Sequence, residues 1–362
     1  MVIDTLNRRS FLTAAAGFAL PFARYHHTHE KQPFLFVSSL KQADGNHAVV
    51  AVDEGGAIKF QEILPGRGHD TAISPDRKTG VMFARRPGRF AVVMDLHRQK
   101  QVFAFEASAN RHFYGHGFFS SDGRLLFASE NDFENDLGVI GIYNVGNAYN
   151  RIGEFETKGI GPHQILLMSD KNTIVVANGG IATHPDFSGQ KLNLASMQSS
   201  ISYLDINSGD LIDQAFLPKS LHKLSIRHIA EADDGAIWFG GQYEGYLKDE
   251  VPLVGRHVHS QEIEFIQEDA SLYQEMKQYV GSVVSSHDCS LIATTGPRGG
   301  LVLIWDTVQL KLISKRSIPD VCGAAPVDHD FLLSDGFGNF WFRNIKISKH
   351  NNVRWDNHLK KV

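Results

Sequence analysis

Four histidines in this chain open apolar, strand-like runs: His69 in "GRGHDTAIS", His116 in "YGHGFFS", His163 in "GIGPHQILL" and His228 in "SIRHIAEA". Each stands six or seven residues before the aspartate of a turn, at Asp76, Asp122, Asp170 and Asp234. A fifth, His358 in "DNHL", occupies the matching place if the C-terminal strand joins the first repeat. Neutral imidazole is the commonest metal ligand, and several rings converging on one point could hold copper, iron or zinc. The chemistry this spacing raises is therefore a shared site, with a transition metal (iron or copper) or calcium as the expected ion.

A second set of polar residues ends the following strand of each repeat. It comprises Arg86 in "ARRPG", Glu130 and Asn131 in "SENDF", Asn178 in "ANGG", Gln242 and Tyr243 in "GGQYEG" and Arg298 in "TGPRGG". These ends are expected on the same rim as the histidines, as ligand-binding residues. Arg86 and Arg298 could clamp a carboxylate or phosphate-like anion. Glu130 is the candidate carboxylate for general acid–base work or for a metal.

The elements that position these residues follow from a repeat. A turn ending in aspartate recurs as "SPD", "SSD", "MSD", "ADD", "SHD" and "DHD". After each comes a β-rich run: "TGVMFA", "RLLFAS", "TIVVAN", "AIWFGG", "SLIATT", "FLLS". Further short strands follow, some ending in Asp95, Asn144, Asp205 or Asp306. Alternating short strands between turns argue an all-β fold, and four strands per 40–50 residues is the size of a propeller blade. Counting predicts a single seven-bladed β-propeller over residues 33–362, closed by a C-terminal strand pairing into the first blade. The alternative is two smaller all-β domains, but no Pro/Gly/Ser linker separates them. Blades six and seven carry Gly281 or Ser282, and Gly323 or Ala324, at the histidine position, with Cys322 just before the latter as a conceivable soft ligand.

Repeat proteins of the WD type also carry a Gly-His pair for structural reasons. Gly68-His69 and Trp305-Asp306 fit that pattern, so hydrogen-bonding or polar-lining histidines stand as the alternative reading. The His257 and His259 pair more simply marks one face of a strand. The long insertion in blade four, with His184 and Asp186, should stand over the histidine face as a lid or anchored loop. Cys289 and Cys322 fall at opposite ends of their blades, too far apart for a disulfide. A net charge of −4 gives no nucleic-acid footprint. Arg8-Arg9-Ser10-Phe11-Leu12 and the apolar stretch to Leu20 read as a twin-arginine export signal over residues 1–23. The expected location is periplasmic, with no membrane span in the mature chain, and a monomer is expected.

The stretches "FARRPG", "RHFYGHGFFSSDG", "SENDF", "GIGPHQI", "VANGGIATHPD", "KLNLASM", "LSIRHIA", "YVGSV" and "WDNHL" together resemble an uncharacterised bacterial family of twin-arginine-exported proteins, a domain of unknown function. Members are commonly encoded beside imelysin-type, iron-regulated proteins and a dihaem-type protein. The resemblance implies a part in iron or other metal acquisition, with imelysin-type proteins as partners, and supplies no reaction. Three functions stay open: an axial metal or metal-complex site serving uptake or redox handling, a lactonase-like hydrolase with a cation-activated water, and a protein-interaction platform.

Overall fold

The computed structural model describes residues 35–187 and 189–362. Residues 1–23, read above as an export signal, lie outside the described residues. The strands form seven four-stranded antiparallel sheets, and the blades run in chain order around the ring. The innermost strands of blades two to seven are Gly68–Ile73, Arg111–Phe119, Pro162–Leu167, Leu224–Glu231, Ser282–Ser285 and Val321–Val327. Blade one takes its innermost strand, Val353–Lys361, from the C-terminus. That strand pairs with Phe36–Gln42 from Phe36↔Lys361 to Gln42↔Val353, which closes the ring as expected and hides two sheet edges.

The repeating turn has one construction. The Ser74 hydroxyl donates to Asp76 at 2.7 Å and accepts from the Thr79 amide, and Asp76 accepts from the Lys78 amide. The same pairing recurs at Ser120–Asp122 (2.6 Å) and Ser286–Asp288 (2.7 Å). A short side chain that satisfies turn amides sets the hairpin between the first and second strands of a blade.

Apolar residues fill the spaces between adjacent sheets rather than one central core. One cluster joins blades two and three through Phe83, Phe113, Phe119 and Tyr143. Another joins blades seven and one through Phe36, Cys322, Phe340 and Trp355. Among the described residues the one α-helix, Ala270–Glu275, lies in the insertion before blade six and is capped by Asp269. Among the described residues, no helix is long and apolar enough to cross a membrane.

Candidate metal centre

All five histidines stand on innermost strands, and each stands at an irregularity in the pairing. The register shifts between Gly68 and Thr71, Phe113 and Gly117, Pro162 and Gln164, and Ile226 and His228. In blade one it shifts between the partners Leu359 and Trp355. A bulge inserts a residue into a ladder and re-aims the side chains beside it. Here it lets the imidazoles leave the interblade spaces for the axis. Gly115 is part of this device: its φ is +105°, and a Cβ there would lie 2.5 Å from the His69 ring.

The five rings form a cage. Neighbouring centroids are 4.5 Å apart for His69–His358, 4.7 Å for His116–His358, 4.8 Å for His69–His116 and for His163–His228, and 4.9 Å for His228–His358. All five residues are buried. Ring nitrogens of His69, His116 and His163 lie within 4.8 Å of one another, as do those of His116, His228 and His358. His116 belongs to both sets.

Carboxylates and an amide orient the cage from behind. His116 Nδ1 lies 2.9 Å from Asp70 Oδ2, and Asp70 is itself held by the Thr71 amide. An N–H donated there leaves the His116 Nε2 lone pair for the cage. His228 Nδ1 lies 3.2 Å from Gln164 Oε1, the same arrangement with an amide oxygen. His69 Nδ1 is 3.6 Å from Asp356, which also accepts from Arg67. Burial opposes ionisation of Asp70 and Asp356, yet Lys360 and His116 hold the first well below the usual carboxylate range, and His69 and Arg67 the second.

Four of the imidazoles, those of His69, His163, His228 and His358, are kept neutral. Burial lowers His69 from 6.5 to about 4. Burial, then repulsion from neighbouring rings, puts His163, His228 and His358 well below 6.5. Yet both ring nitrogens of His69, with His116 Nε2, His163 Nδ1, His228 Nε2 and His358 Nε2, are buried with no hydrogen-bond partner. Six orphaned nitrogens on five converging rings are costly unless something shared satisfies them. That disfavours a purely structural role of the WD type, in which each ring would be bonded within its own blade.

Above the cage, Arg85, Arg86, Tyr114, Arg227, Gln242, Tyr279 and Asn357 line a narrow cavity of about 30 Å³ together with His69, His163 and His228. Arg86 and Gln242 stand where the strand-end reading put them. Arg298 reaches the rim indirectly, stacked 4.1 Å over the Tyr279 ring. A second cavity of about 260 Å³ lies beside it, between Arg85, Arg86, His112 and the blade-four insertion at Thr183, His184 and Lys191. That insertion is pinned as an anchored loop: Asn193 bonds Ala182 and Gly180, Asn131 donates to Thr183 O at 2.9 Å, and Lys191 pairs with Glu244.

The structure does not bring the other named residues to the cage. Glu130 accepts from Tyr143 Oη at 2.5 Å and Arg151 Nη2 at 3.0 Å, on the two outer strands of its own blade. Asn178 donates to Thr157 O, Ser200 Oγ and Ser202 Oγ, bracing blade four. Tyr243 donates to Asp249, and Asn131 approaches His112 Nε2 at 3.1 Å. Cys322 Sγ packs against Ser334 and Trp355 between blades seven and one, its thiol pushed up by burial, so it offers the axis no thiolate. Both cysteines are free. His257 is bonded on both sides, to Tyr203 Oη at 2.7 Å and Gln261 O at 2.8 Å, a structural histidine. Glu130→Ala should therefore cost about 1–3 kcal/mol of stability, since it leaves Tyr143 Oη without its acceptor and Arg151 with Glu154 alone. Urea unfolding reads that loss, while bound metal per chain stays unchanged.

Tyr114, Arg227, Tyr279 and Asn357 are mouth residues that strand-end reasoning passed over, whereas Arg85 stands beside Arg86 at the strand end it marked. Two of them were signalled by position: Arg227 and Asn357 each directly precede a cage histidine.

In fold the chain is similar to Kuenenia stuttgartiensis hydrazine synthase, with a TM-score of 0.59 at 12% identity over 83% of this chain and 93% of that one. At that identity the likeness is one of fold. No curated protein matches the chain. The model of the family described as "Protein of unknown function (DUF1513)" matches residues 62–362, from the end of blade one through the closing strand, and the chain belongs to that family.

Proposed function

We propose that this propeller binds a transition-metal ion in its axial cage of His69, His116, His163, His228 and His358. The observation that carries the reading is the set of five buried, converging imidazoles, each with a ring nitrogen that has no hydrogen-bond partner. Tetrahedral nitrogens at 2.0–2.1 Å from an ion lie about 3.4 Å apart, so a small inward turn of each ring suffices. The donor set favours copper, iron or zinc. Calcium takes six to eight oxygens, and among the described residues the clustered ligands of the cage are all histidines. Asp70 behind His116 is the carboxylate–histidine arrangement that fixes a ligand's tautomer and raises its basicity.

A hydrolase reading loses its carboxylate, because Glu130 is bonded into the outer part of blade three. The proposal extends to iron-linked uptake or redox handling in the periplasm, beside imelysin-type proteins. That extension is supported by the Arg8-Arg9 signal reading and the family resemblance alone.

The test is competitive titration of metal-free protein with cuprous, cupric, ferrous and zinc ions against a coloured chelator. One ion should bind at one equivalent per chain. Asp70→Asn should weaken that binding by about 10–100-fold while the fold persists by circular dichroism. Wild-type binding no tighter than a surface histidine, for every ion, would end the proposal.

A further inference from the structure

Arg227 is the least expected residue at the mouth. It is 3% exposed, yet among the described residues no hydrogen bond or ion pair engages its guanidinium, and its Nε is a buried orphan. Arg86 lines the same cavity, with a buried Nη1 that also lacks a partner, and Arg85 completes a group of three. Among the described residues no carboxylate lines that cavity. The strongest acidic influence on Arg227, that of Glu244, comes from a carboxylate already paired with Lys191. A guanidinium keeps its charge at neutral pH. An uncompensated buried guanidinium costs several kcal/mol, and two more beside it add repulsion. Such strain persists where a ligand relieves it.

We infer that the mouth over the cage is a binding site for a small oxyanion of the phosphate or bicarbonate kind, clamped by Arg85, Arg86 and Arg227. Planar guanidinium forks match such oxygens two at a time. Tyr279 and Gln242 border the same space and offer further donors. The narrowness of the cavity limits the ligand to a small ion. The register shift at Arg227 explains the convergence: Arg227 and His228 are sequence neighbours, yet both line the cavity, which a regular pleat would forbid. The inference needs only the arginines and stands apart from the metal reading.

Calorimetric titration of chelator-treated protein with inorganic phosphate, and separately with bicarbonate, tests it in chloride buffers of matched ionic strength. Wild type should take up at least one of the two saturably, at one per chain. Arg227→Met and Arg86→Met should each weaken that uptake tenfold or more. Arg227→Met should also unfold at a higher temperature than anion-free wild type, since it removes an unpaired buried charge. His116→Ala/His358→Ala, a change at two cage histidines that do not line this cavity, should keep the anion, which separates this site from the cage. No saturable uptake of either anion by wild type would overturn the inference. So would uptake unchanged in both arginine variants, or uptake abolished in the histidine double variant.

Discussion

His116→Ala/His163→Ala should lose metal affinity by about four orders of magnitude. Structural four-ligand sites bind with about 10–16 kcal/mol, so two of the ligands account for roughly 5–8 kcal/mol. These two rings are the informative pair. His116 belongs to both ligand triads, and His163 belongs to the triad with His69. The double variant leaves His228 and His358 without their third partner and His69 without either. Neither truncation removes an apolar core side chain, and both remove orphaned nitrogens, so the variant should fold. Chelator competition on wild type and variant reads the difference. A loss of less than tenfold would mean that the ion sits elsewhere.

Acid should weaken the metal-free protein in a defined window. His69 titrates at about 4 in the fold and at about 6.5 unfolded. Between those limits the unfolded chain binds a proton that the native cage refuses, so stability falls as pH falls and is recovered above about 6.5. For His69 alone the difference amounts to about 3 kcal/mol across the window. His163, His228 and His358 act in the same direction, as does His112, lowered by burial to about 4. Asp70 and Asp356 do not blur this window. Their contribution is present above the ordinary carboxylate range near 3.8 and is lost only below it. Urea midpoints of metal-free protein from pH 7.5 to 4.5 should drop steeply, and less so in the His116→Ala/His163→Ala variant. Flat midpoints would mean that the rings are hydrated and protonate freely.

The ring of blades was legible because its signals are local and repeated. The Ser-x-Asp turn states the hairpin, and six or seven residues upstream the histidine states the axis. Ring closure brought His358 to the same place through strand pairing alone. Side-chain facing was harder to read. Strand ends at the rim could be located from sequence, but whether each residue faces the axis depends on pairing parity. Glu130 and Asn178 turn into their own blades, and Cys322 turns between blades, while Arg86 and Gln242 reach the cavity. Arg227 was hidden for the opposite reason. A period of two assigns it to the face opposite His228, and the register shift cancels that assignment. Bulges leave little trace in residue types, apart from a glycine such as Gly115 where positive φ is required.

The cage as a histidine-lined metal site is tested most directly by X-ray absorption on protein loaded with one equivalent of the tightest-binding ion. The account predicts a first shell of nitrogen scatterers at about 2.0–2.1 Å, with the outer-shell pattern of at least three imidazoles, lost in His116→Ala/His163→Ala. A shell dominated by oxygen, or one unchanged in the double variant, would contradict it.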